Sequence, residues 1–373
     1  MNPTTSAPVT EVVVYPNRER DPSHELGSYE HVARGLADIL GGHFRGVLRP
    51  GEAPARGAYM VPSATLVGDA ELKRLGISSE RDFFGGMVPR PWMATKVITH
   101  ALVHPRAIQP EGWDQRFATE VEPVVLPGYS SFSLEDAEVA GRRMLREGPV
   151  RLKPATATAG RGQARVDDIN GLLKALEAMD ALSLARHGLV IETHLENVQT
   201  FSVGRVVVGD WCMAYCGTQC LTTDNAGEPV YGGSRLLAVR GGFDELMRVG
   251  LPAPMRMAVA LAQVYDRAAS ECLGGLVASR RNYDVACGRD GADRERYGVL
   301  EQSWRIGGAS GAEVAALRAL HAEPQQRVVC AACHEVYGRE AAIPPDAMCA
   351  YSGFDEEVGF ISKYTVLESY GER

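Results

Sequence analysis

Apolar residues follow two patterns along the first ninety positions of the chain, short continuous runs and helical spacing. The continuous runs at residues 11–15 and 58–61 are typical of buried strands. Residues 28–40 and 69–75 carry apolar side chains at helical spacing, and glycine follows each segment. This alternation of strand and helix predicts a small α/β domain with a parallel sheet, which a turn-rich segment at residues 83–91 would close.

The same two patterns continue to residue 321. Helical spacing predicts helices at residues 133–146, 168–184, 254–272 and 310–321, and a helix or helical turn at 93–103. Strand patterns occur at residues 123–126, 149–153, 188–192, 201–208, 211–216, 277–286 and 297–302.

The stretch at residues 148–163 (GPVRLKPATATAGRGQ) joins a strand pattern to a loop of small residues. The strand pattern ends near Lys153, and the loop contains Gly160 and Gly162. Glycine adopts positive φ without strain, so the backbone N–H groups of such a loop can turn toward an anion beside a mobile lysine charge. The pattern indicates a phosphate-binding loop, and an ordinary hairpin loop is the alternative.

Lysine is rare in this chain, because the 39 basic residues include only five lysines. Lys73 and Lys174 lie on amphipathic helical stretches and are typical surface charges. Lys96 and Lys153 lie in apolar or glycine-rich surroundings instead. Since arginine is the general surface cation here, we expect these two lysines to be present for their chemistry.

The composition is ordinary for a soluble globular protein, with 45% hydrophobic and 23% charged residues among 373. The net charge is −8 and the pI is near 5.7, so we expect neither nucleic acid nor an anionic membrane as a partner. The sequence has no apolar run of about 20 residues and no secretion signal, which predicts a cytoplasmic protein.

Cysteine and histidine provide two further patterns. All eight cysteines lie in the C-terminal half, and we expect them to be reduced. The sequence from Cys330 through Cys333 to His334 matches the haem c attachment signature, but without an export signal a chance match is the favoured interpretation. His100 and His104 have metal-ligand spacing on a helix, yet without a third ligand nearby a packing role is favoured.

The order of these features resembles the ATP-grasp superfamily, in which two subdomains close over ATP. The resemblance covers residues 93–311 and includes Lys96, Lys153 with its loop, a strand ending on an acid, and two late acidic strands. With the motifs VPRPWMATKVITHAL and VLEQSWRIGGASG, the whole chain looks like a family of uncharacterised bacterial proteins related to ATP-grasp enzymes such as biotin carboxylase and D-alanine–D-alanine ligase.

This resemblance implies a fold of class α/β and α+β, with a small N-terminal α/β (pre-ATP-grasp) domain followed by two grasp subdomains. The implied units are the N-terminal domain at residues 1–92, a linker and the start of the grasp at 93–147, a lid subdomain with the phosphate loop at 148–200, and a C-terminal grasp subdomain with the metal carboxylates at 201–373.

The family's phosphate-binding residues match the two unusual lysines and the loop. Lys96 matches the first family lysine, which contacts the α-phosphate, and Lys153 matches the second, on the strand that leads into the phosphate loop. Residues 155–163, with Gly160 and Gly162, match the loop that covers the β- and γ-phosphates.

The resemblance also implies where adenosine binds. Glu192 begins the hinge segment ETHLENVQ and would contact the exocyclic amine of adenine, while backbone groups near Leu195 would meet the ring. Gln199 stands where the family has an acid that binds the ribose. An amide still bonds a hydroxyl group, but more weakly than a carboxylate does.

Asp284, Glu301 and the residue at position 303 match the family's Mg²⁺ ligands. The family's last strand follows the pattern Glu-x-Asn-x-Arg-x-Gly-Gly, and residues 301–308 fit it except that Ser303 replaces the asparagine. A hydroxyl group is a poorer Mg²⁺ ligand than an amide carbonyl. Arg305 would stabilise the acyl-phosphate or the carboxylate that attacks ATP. A local salt bridge between Glu301 and Arg305 is the structural alternative.

The first functional hypothesis is an Mg²⁺-dependent ligase that uses ATP to activate a carboxylate as an acyl-phosphate, which an amine or similar nucleophile then attacks. Lys153 and Arg305 are the candidate catalytic residues. The implied cofactors are ATP and Mg²⁺, and the implied partners are small-molecule carboxylate and amine substrates.

The second hypothesis is a nucleotide-binding sensor or scaffold that retains the fold without ligase turnover. The departures from the family pattern at Gln199 and Ser303 favour it. For a ligase, Arg235, Arg240 and the segment RNYD at residues 281–284 are candidates to face the acceptor substrate.

Overall fold

The computed structural model describes residues 9–156, 162–339 and 342–368. Its helices are α1 (Ser23–Leu40), α2 (Asp69–Leu75), α3 (Arg116–Val121), α4 (Leu134–Met144), α5 (Ile169–Glu177), α6 (Ala181–His187), α7 (Phe243–Met247), α8 (Ala253–Cys272) and α9 (Ser310–Ala322). Its strands are β1 (Glu11–Tyr15), β2 (His43–Val47), β3 (Tyr59–Pro62), β4 (Leu66–Val67), β5 (Gly86–Val88), β6 (Gly128–Ser131), β7 (Val150–Pro154), β8 (Ala164–Val166), β9 (Leu189–Thr193), β10 (Glu196–Val208), β11 (Trp211–Thr223), β12 (Pro229–Arg240), β13 (Val277–Ala278), β14 (Arg280–Arg289), β15 (Glu295–Ser303), β16 (Val328–Tyr337), β17 (Met348–Asp355) and β18 (Gly359–Glu368). Over the described ranges, no helix is long and apolar enough to cross a membrane.

The N-terminal sheet has the strand order β2-β1-β3 with both pairs parallel, which confirms the predicted parallel pairing of β1 with β3, whereas β2 was not predicted. α1 begins at Ser23, before the predicted start at residue 28. The earlier start depends on a residue far away in the sequence. Asp355 Oδ2 accepts hydrogen bonds from Ser23 Oγ (2.7 Å) and from the backbone N–H of His24 (3.2 Å). A distant carboxylate therefore caps the first turn.

A four-stranded antiparallel sheet, the lid sheet, has the order β6-β9-β7-β8. Leu152 and its partner Ile191 are fully buried on the face that α4 and α5 cover. Because side chains alternate along a strand, Lys153 and Glu192 lie on the opposite face. The loop of small residues joins β7 to β8 as a hairpin, and residues 157–161, which include Gly160, lie outside the described residues.

The predicted strand at residues 123–126 is wrong. The structure has a 3₁₀ turn at Glu122–Val124, and the adjacent strand is β6. Pro123 favours the turn, because it fixes φ and has no N–H group for a ladder. The sequence of β6 is GYSS, which lacks the apolar run that the strand pattern requires.

Two predicted helices also differ from the structure. The segment 168–184 forms two helices, α5 and α6, because the Asp180 side chain accepts hydrogen bonds from the first N–H groups of α6 and caps a new helix. The segment 93–103 contains two short 3₁₀ turns, Pro91–Ala94 and Lys96–Thr99, which fit the predicted helical turn rather than a helix.

An eight-stranded sheet, the large sheet, occupies the C-terminal half with the order β15-β14-β10-β11-β12-β16-β18-β17. Every neighbouring pair in it is antiparallel. α8 packs on one face and α9 on the other. The sheet carries the predicted metal ligands on its first two strands, β15 and β14.

The haem-like sequence lies within β16. Cys330 and Cys333 are three positions apart on an extended strand, so their sulfur atoms lie on opposite faces of the sheet. A single haem needs both thiols on one side, so this arrangement does not fit haem attachment.

The contact between Asp355 and α1 gives a first prediction. Although burial alone would raise it, hydrogen bonds from Ser23 and from the N–H groups of Glu357 and His24 lower the pKa of Asp355 to about 2. An unfolded aspartate has a pKa of roughly 3.9. The carboxylate therefore stabilises the fold fully above about pH 4, and this contribution is lost as the pH falls toward 2.

We expect Asp355→Ala to lower the free energy of unfolding at pH 7 by about 0.5–2 kcal/mol, the usual cost of a lost helix cap. Urea titrations at pH 7 and pH 3 would measure the difference from wild type, which should shrink at pH 3. Glu356→Ala, at an exposed neighbour, is the control. A difference that is equal at both pH values would argue against the cap.

Candidate active site

The short turn Lys96–Thr99 lies between the lid sheet and the large sheet and carries a buried lysine. Gln302 of β15 donates hydrogen bonds of 2.9 and 3.2 Å to two backbone carbonyl oxygens just before the turn. Ser130 of β6 donates to a carbonyl oxygen of the turn at 2.5 Å. Because these hydrogen bonds hold the backbone of the turn from both sides, Lys96 Nζ lies in a fixed position, 2.7 Å from Glu301 Oε2.

Lys153 is buried on the lid sheet beside Glu192. Lys153 Nζ forms an ion pair with Glu192 Oε1, and His100 Nε2 lies 3.5 Å from Glu192 Oε2. Gly128 leaves space for the imidazole, because a Cβ atom there would lie 2.8 Å from the ring. Although burial alone would raise it, Lys153 and His100 lower the pKa of Glu192 to about 2. Glu192 is therefore a buried carboxylate that fixes Lys153 in place.

Asp284 of β14 and Glu301 of β15 are direct cross-strand partners on one face of the large sheet. A bulge at Leu300 disrupts the ladder beside them. Burial and the neighbouring charge of Glu301 raise the pKa of Asp284 to about 6. Two carboxylates that repel each other in this way attract a cation, and Lys96 supplies one positive charge at Glu301.

A buried ion pair lies beside these acids. Arg280 binds both carboxylate oxygens of Glu313, with an Nε–Oε2 distance of 2.7 Å and an Nη2–Oε1 distance of 2.6 Å. Arg280 Nη1 also donates to the backbone carbonyl oxygens of Ser303 (3.0 Å) and Arg305. The pair therefore fixes the segment that follows β15.

Arg305 lies in this segment and has no ion pair among the described residues. Its guanidinium donates a 2.8 Å hydrogen bond to the carbonyl oxygen of Ile306. Burial and the nearby charge of Arg18 lower the pKa of Arg305. The alternative of a local salt bridge between Glu301 and Arg305 is wrong, since Glu301 pairs with Lys96.

The remaining predicted nucleotide-binding residues lie near the start of β10 and at the lid hairpin. Leu195 is buried against Leu126. Gln199 is exposed and pairs with Cys287 of β14. Gly162 has a φ of 71° just before β8, which suits glycine.

Five predicted residues are thereby brought together. Lys153 contacts Glu192, His100 links Glu192 to the buried turn, and the turn carries Lys96 to Glu301 and its partner Asp284. Gln199 and Leu195 lie outside this series of contacts.

The oxygen atoms on this face suit a hard divalent cation. Asp284 and Glu301 offer carboxylates, whereas the Ser303 hydroxyl oxygen already lies 3.4 Å from Arg280 Nη1. Across the residues with described positions, no group of three or more His, Cys, Asp or Glu side chains is arranged to hold a metal ion. Mg²⁺ is usually held by one or two carboxylates together with substrate phosphates, so the carboxylate pair fits it.

Sequence reasoning missed His100 as a partner of Glu192, because its spacing to His104 suggested a metal site or, as the favoured interpretation, a packing role. His104 Nε2 lies 3.2 Å from Asp136 Oδ1 instead. Sequence reasoning also missed Gln302. Its position directly after Glu301 in a buried strand was the one available signal.

Two arginines expected to face an acceptor have other contacts. Arg235 forms an ion pair with Glu368, and the Arg240 guanidinium lies 4.4 Å from the centre of the Trp211 ring. The segment 281–284, by contrast, contains Asp284 and lies beside the site.

Two solved structures are similar to the chain over nearly its whole length. Phosphoribosylamine–glycine ligase from Thermotoga maritima aligns with 96% of this chain and 93% of its own, with 13% identity and a TM-score of 0.54. N5-carboxyaminoimidazole ribonucleotide synthetase, solved as an ADP complex, aligns with 97% of this chain and 93% of its own, with 12% identity and a TM-score of 0.53. These likenesses confirm the predicted ATP-grasp fold.

The sequence itself matches one family. The family described as "Protein of unknown function (DUF3182)" matches residues 12–365. No curated protein matches the chain significantly.

Proposed function

Since the chain belongs to the family described as "Protein of unknown function (DUF3182)" and has the ATP-grasp fold, we propose that it is an ATP-dependent ligase that joins a carboxylate to an amine. The observation that carries this proposal is the series of contacts from Lys153 through the buried turn to Glu301 and Asp284. This series takes two lysines and two acids from distant parts of the sequence and extends from the lid sheet to the large sheet, which supports a triphosphate site between the sheets.

Each lysine is held by a carboxylate at a defined place. Glu192 holds Lys153 and Glu301 holds Lys96, so both cations are oriented before a nucleotide arrives. Phosphate oxygens would then accept from ammonium groups that have little freedom left to lose. In this proposal Lys96 serves the α-phosphate, and Lys153 serves the β- and γ-phosphates with the loop at residues 155–163.

Asp284 and Glu301 would hold Mg²⁺, which neutralises phosphate charge when bound. The base of the nucleotide would pack against the hinge at Glu192 and Leu195. Gln199 would donate its amide to the ribose, in place of the accepting carboxylate of the family.

Arg305 would act on the reacting groups. Because its guanidinium has no ion pair among the described residues, it can donate to an incoming carboxylate. One oxygen of that carboxylate attacks the γ-phosphorus, and the bond to the ADP oxygen breaks. The amine nitrogen then attacks the carbonyl carbon of the acyl-phosphate, and phosphate and a proton leave. Arg305 stabilises the negative charge in both steps.

The two similar structures support the reaction class. One is named a ligase and the other a synthetase solved with ADP, and both align over more than 90% of this chain. Identities of 12–13% transfer the fold rather than a substrate, so the acceptor is proposed only as a small-molecule carboxylate and amine.

A second candidate is a nucleotide-binding protein without ligase turnover. Ser303, whose hydroxyl lies 3.4 Å from Arg280, and the exposed Gln199 favour it, because each replaces a stronger ligand of the family pattern.

Two measurements on the full chain separate these candidates. Calorimetry with MgATP and a non-hydrolysable analogue tests binding, and ADP release in the presence of pooled carboxylates and amines tests turnover. We expect binding in both titrations, and ADP release that increases when both substrate pools are present. Binding without ADP release would favour the second candidate, and no binding would contradict both.

A further inference from the structure

The amide missing from β15 is present on the neighbouring strand. Ser303 pairs directly with Asn282 of β14, so their side chains share a face. Asn282 is two positions from Asp284 on the same strand, and its Nδ2 lies 3.1 Å from Asp284 Oδ1. Two carboxamides therefore lie beside the acidic pair although position 303 lacks one. Gln219 Nε2 donates to the same Asp284 Oδ1 at 2.8 Å, and Asn282 is the one that pairs with Ser303.

The partners of the Asn282 carboxamide permit two orientations. In the first, Nδ2 donates to Asp284, while Oδ1 accepts from Ser202 Oγ at 2.7 Å and from the Tyr215 hydroxyl at 2.8 Å. After a half-turn of the amide, Oδ1 faces Asp284 and Nδ2 donates to the two hydroxyl oxygens, which accept as well as donate. The carboxamide occupies the same space in both, so the half-turn requires no backbone movement.

The hydrogen-bond donors around Asn282 favour the second orientation once a cation, rather than Asn282 Nδ2, neutralises the charge of Asp284. The Tyr215 hydroxyl lies 2.8 Å from Asn282 Oδ1 and 2.6 Å from Glu313 Oε1, but it has only one proton. Glu313 is bound through both oxygens by Arg280 and only accepts. In the first orientation Tyr215 can donate to only one of these two oxygens, so its other contact joins two oxygens with no proton between them. In the second orientation Nδ2 donates to the Tyr215 hydroxyl, whose own proton goes to Glu313.

Gly204 makes this network possible. It lies on β10 between its cross-strand partners Tyr215 and Asn282, and a Cβ atom there would lie 2.4 Å from the Tyr215 hydroxyl oxygen. Tyr215 and Ser202 are almost completely buried, so their hydroxyl groups stay with Asn282 rather than with water.

We propose that Asn282 supplies the third protein oxygen of the divalent-cation site, in place of Ser303. This inference rests on the proposed function, which requires the cation. Two carboxylates and one amide carbonyl would give the hard oxygen set that Mg²⁺ selects. Asn282 would then hold its carboxamide in the second orientation, with Oδ1 toward the cation. In this proposal Ser303 does not bind the cation, and its hydroxyl oxygen accepts a 3.4 Å hydrogen bond from Arg280 Nη1.

The test measures how tightly the full chain binds Mn²⁺ in the presence of a non-hydrolysable ATP analogue. Electron paramagnetic resonance gives the concentration of free Mn²⁺, and the bound amount is the difference from the total. Asn282→Leu, which keeps the volume but removes the oxygen, should weaken Mn²⁺ binding by about 10–100-fold, the range seen when the support of a metal site is altered. Asn282→Asp should bind Mn²⁺ at least as tightly as wild type. Ser303→Ala, the matched change at the opposite position, should bind Mn²⁺ as wild type does.

A second readout does not depend on the variants folding. In crystals of wild type with Mn²⁺ and the analogue, an anomalous peak within coordination distance of Asn282 Oδ1 supports the inference, and a peak coordinated by Ser303 Oγ instead overturns it. Equal Mn²⁺ affinity in wild type and a folded Asn282→Leu variant also overturns it.

Titration of a fluorescent ATP analogue, both with Mg²⁺ and in EDTA, separates this inference from the proposed function. Nucleotide binding with unchanged Mn²⁺ affinity in Asn282→Leu removes only the role of Asn282. No nucleotide binding in wild type under either condition removes both proposals.

Discussion

Replacing Glu301 with glutamine is expected to lower ADP release by about 10²- to 10³-fold, the usual effect of removing one preorganised charge from a reacting site. The substitution keeps the shape of the side chain but removes the charge that holds Lys96 at 2.7 Å and that forms the acidic pair with Asp284. The side chain is one-third exposed, so we expect the fold to tolerate the change. ADP release and the unfolding midpoint should be measured on the same preparation.

Glu295→Gln is the matched control, because Glu295 lies at the exposed start of the same strand. It should release ADP at the wild-type rate. If Glu301→Gln binds nucleotide and releases ADP as wild type does, the acidic pair has no part in turnover and the ligase proposal fails.

Replacing Glu313 with alanine is expected to lower the free energy of unfolding by about 3–5 kcal/mol, because it leaves a buried guanidinium without its counter-charge. Arg280 is 1% exposed and Glu313 is completely buried, so water cannot replace the lost partner. The loss should also loosen the backbone at Ser303 and Arg305, which Arg280 holds. Urea unfolding followed by circular dichroism would measure the change.

The double variant Arg280→Met, Glu313→Leu is the informative comparison. Replacing both members of a buried pair by apolar residues is often close to neutral, so the double variant should recover much of the stability that Glu313→Ala loses. A loss below about 1 kcal/mol for Glu313→Ala would contradict a buried, fully desolvated pair.

Much of the fold could be predicted from the sequence where local pattern and tertiary structure agree. Strands β1, β3 and β7 and helix α8 follow from apolar periodicity alone. The errors occur where a distant group decides the outcome. α1 begins early because Asp355 caps it, and β6 was missed because its two serines carry no apolar signal. The strands after residue 321 were not predicted.

Sequence motifs predicted which residues form the candidate site, but not which of these residues contact each other. The motifs identify Lys96, Lys153, Asp284 and Glu301, but the order of residues in the sequence does not reveal that Lys96 pairs with Glu301 and Lys153 with Glu192. Those partners depend on strand register. Asn282 lies opposite Ser303 only because β14 and β15 pair in one alignment out of several that the apolar pattern allows.

The cap that Asp355 places on α1 has a consequence for biosynthesis. The carboxylate and the helix that it completes are 331 positions apart. At about 5–20 residues per second, a ribosome needs roughly 15–65 s to travel that distance. During this interval the nascent N-terminal segment has an unfinished helix end, so shortened translation products that lack the last hairpin should be preferred substrates of cellular proteases.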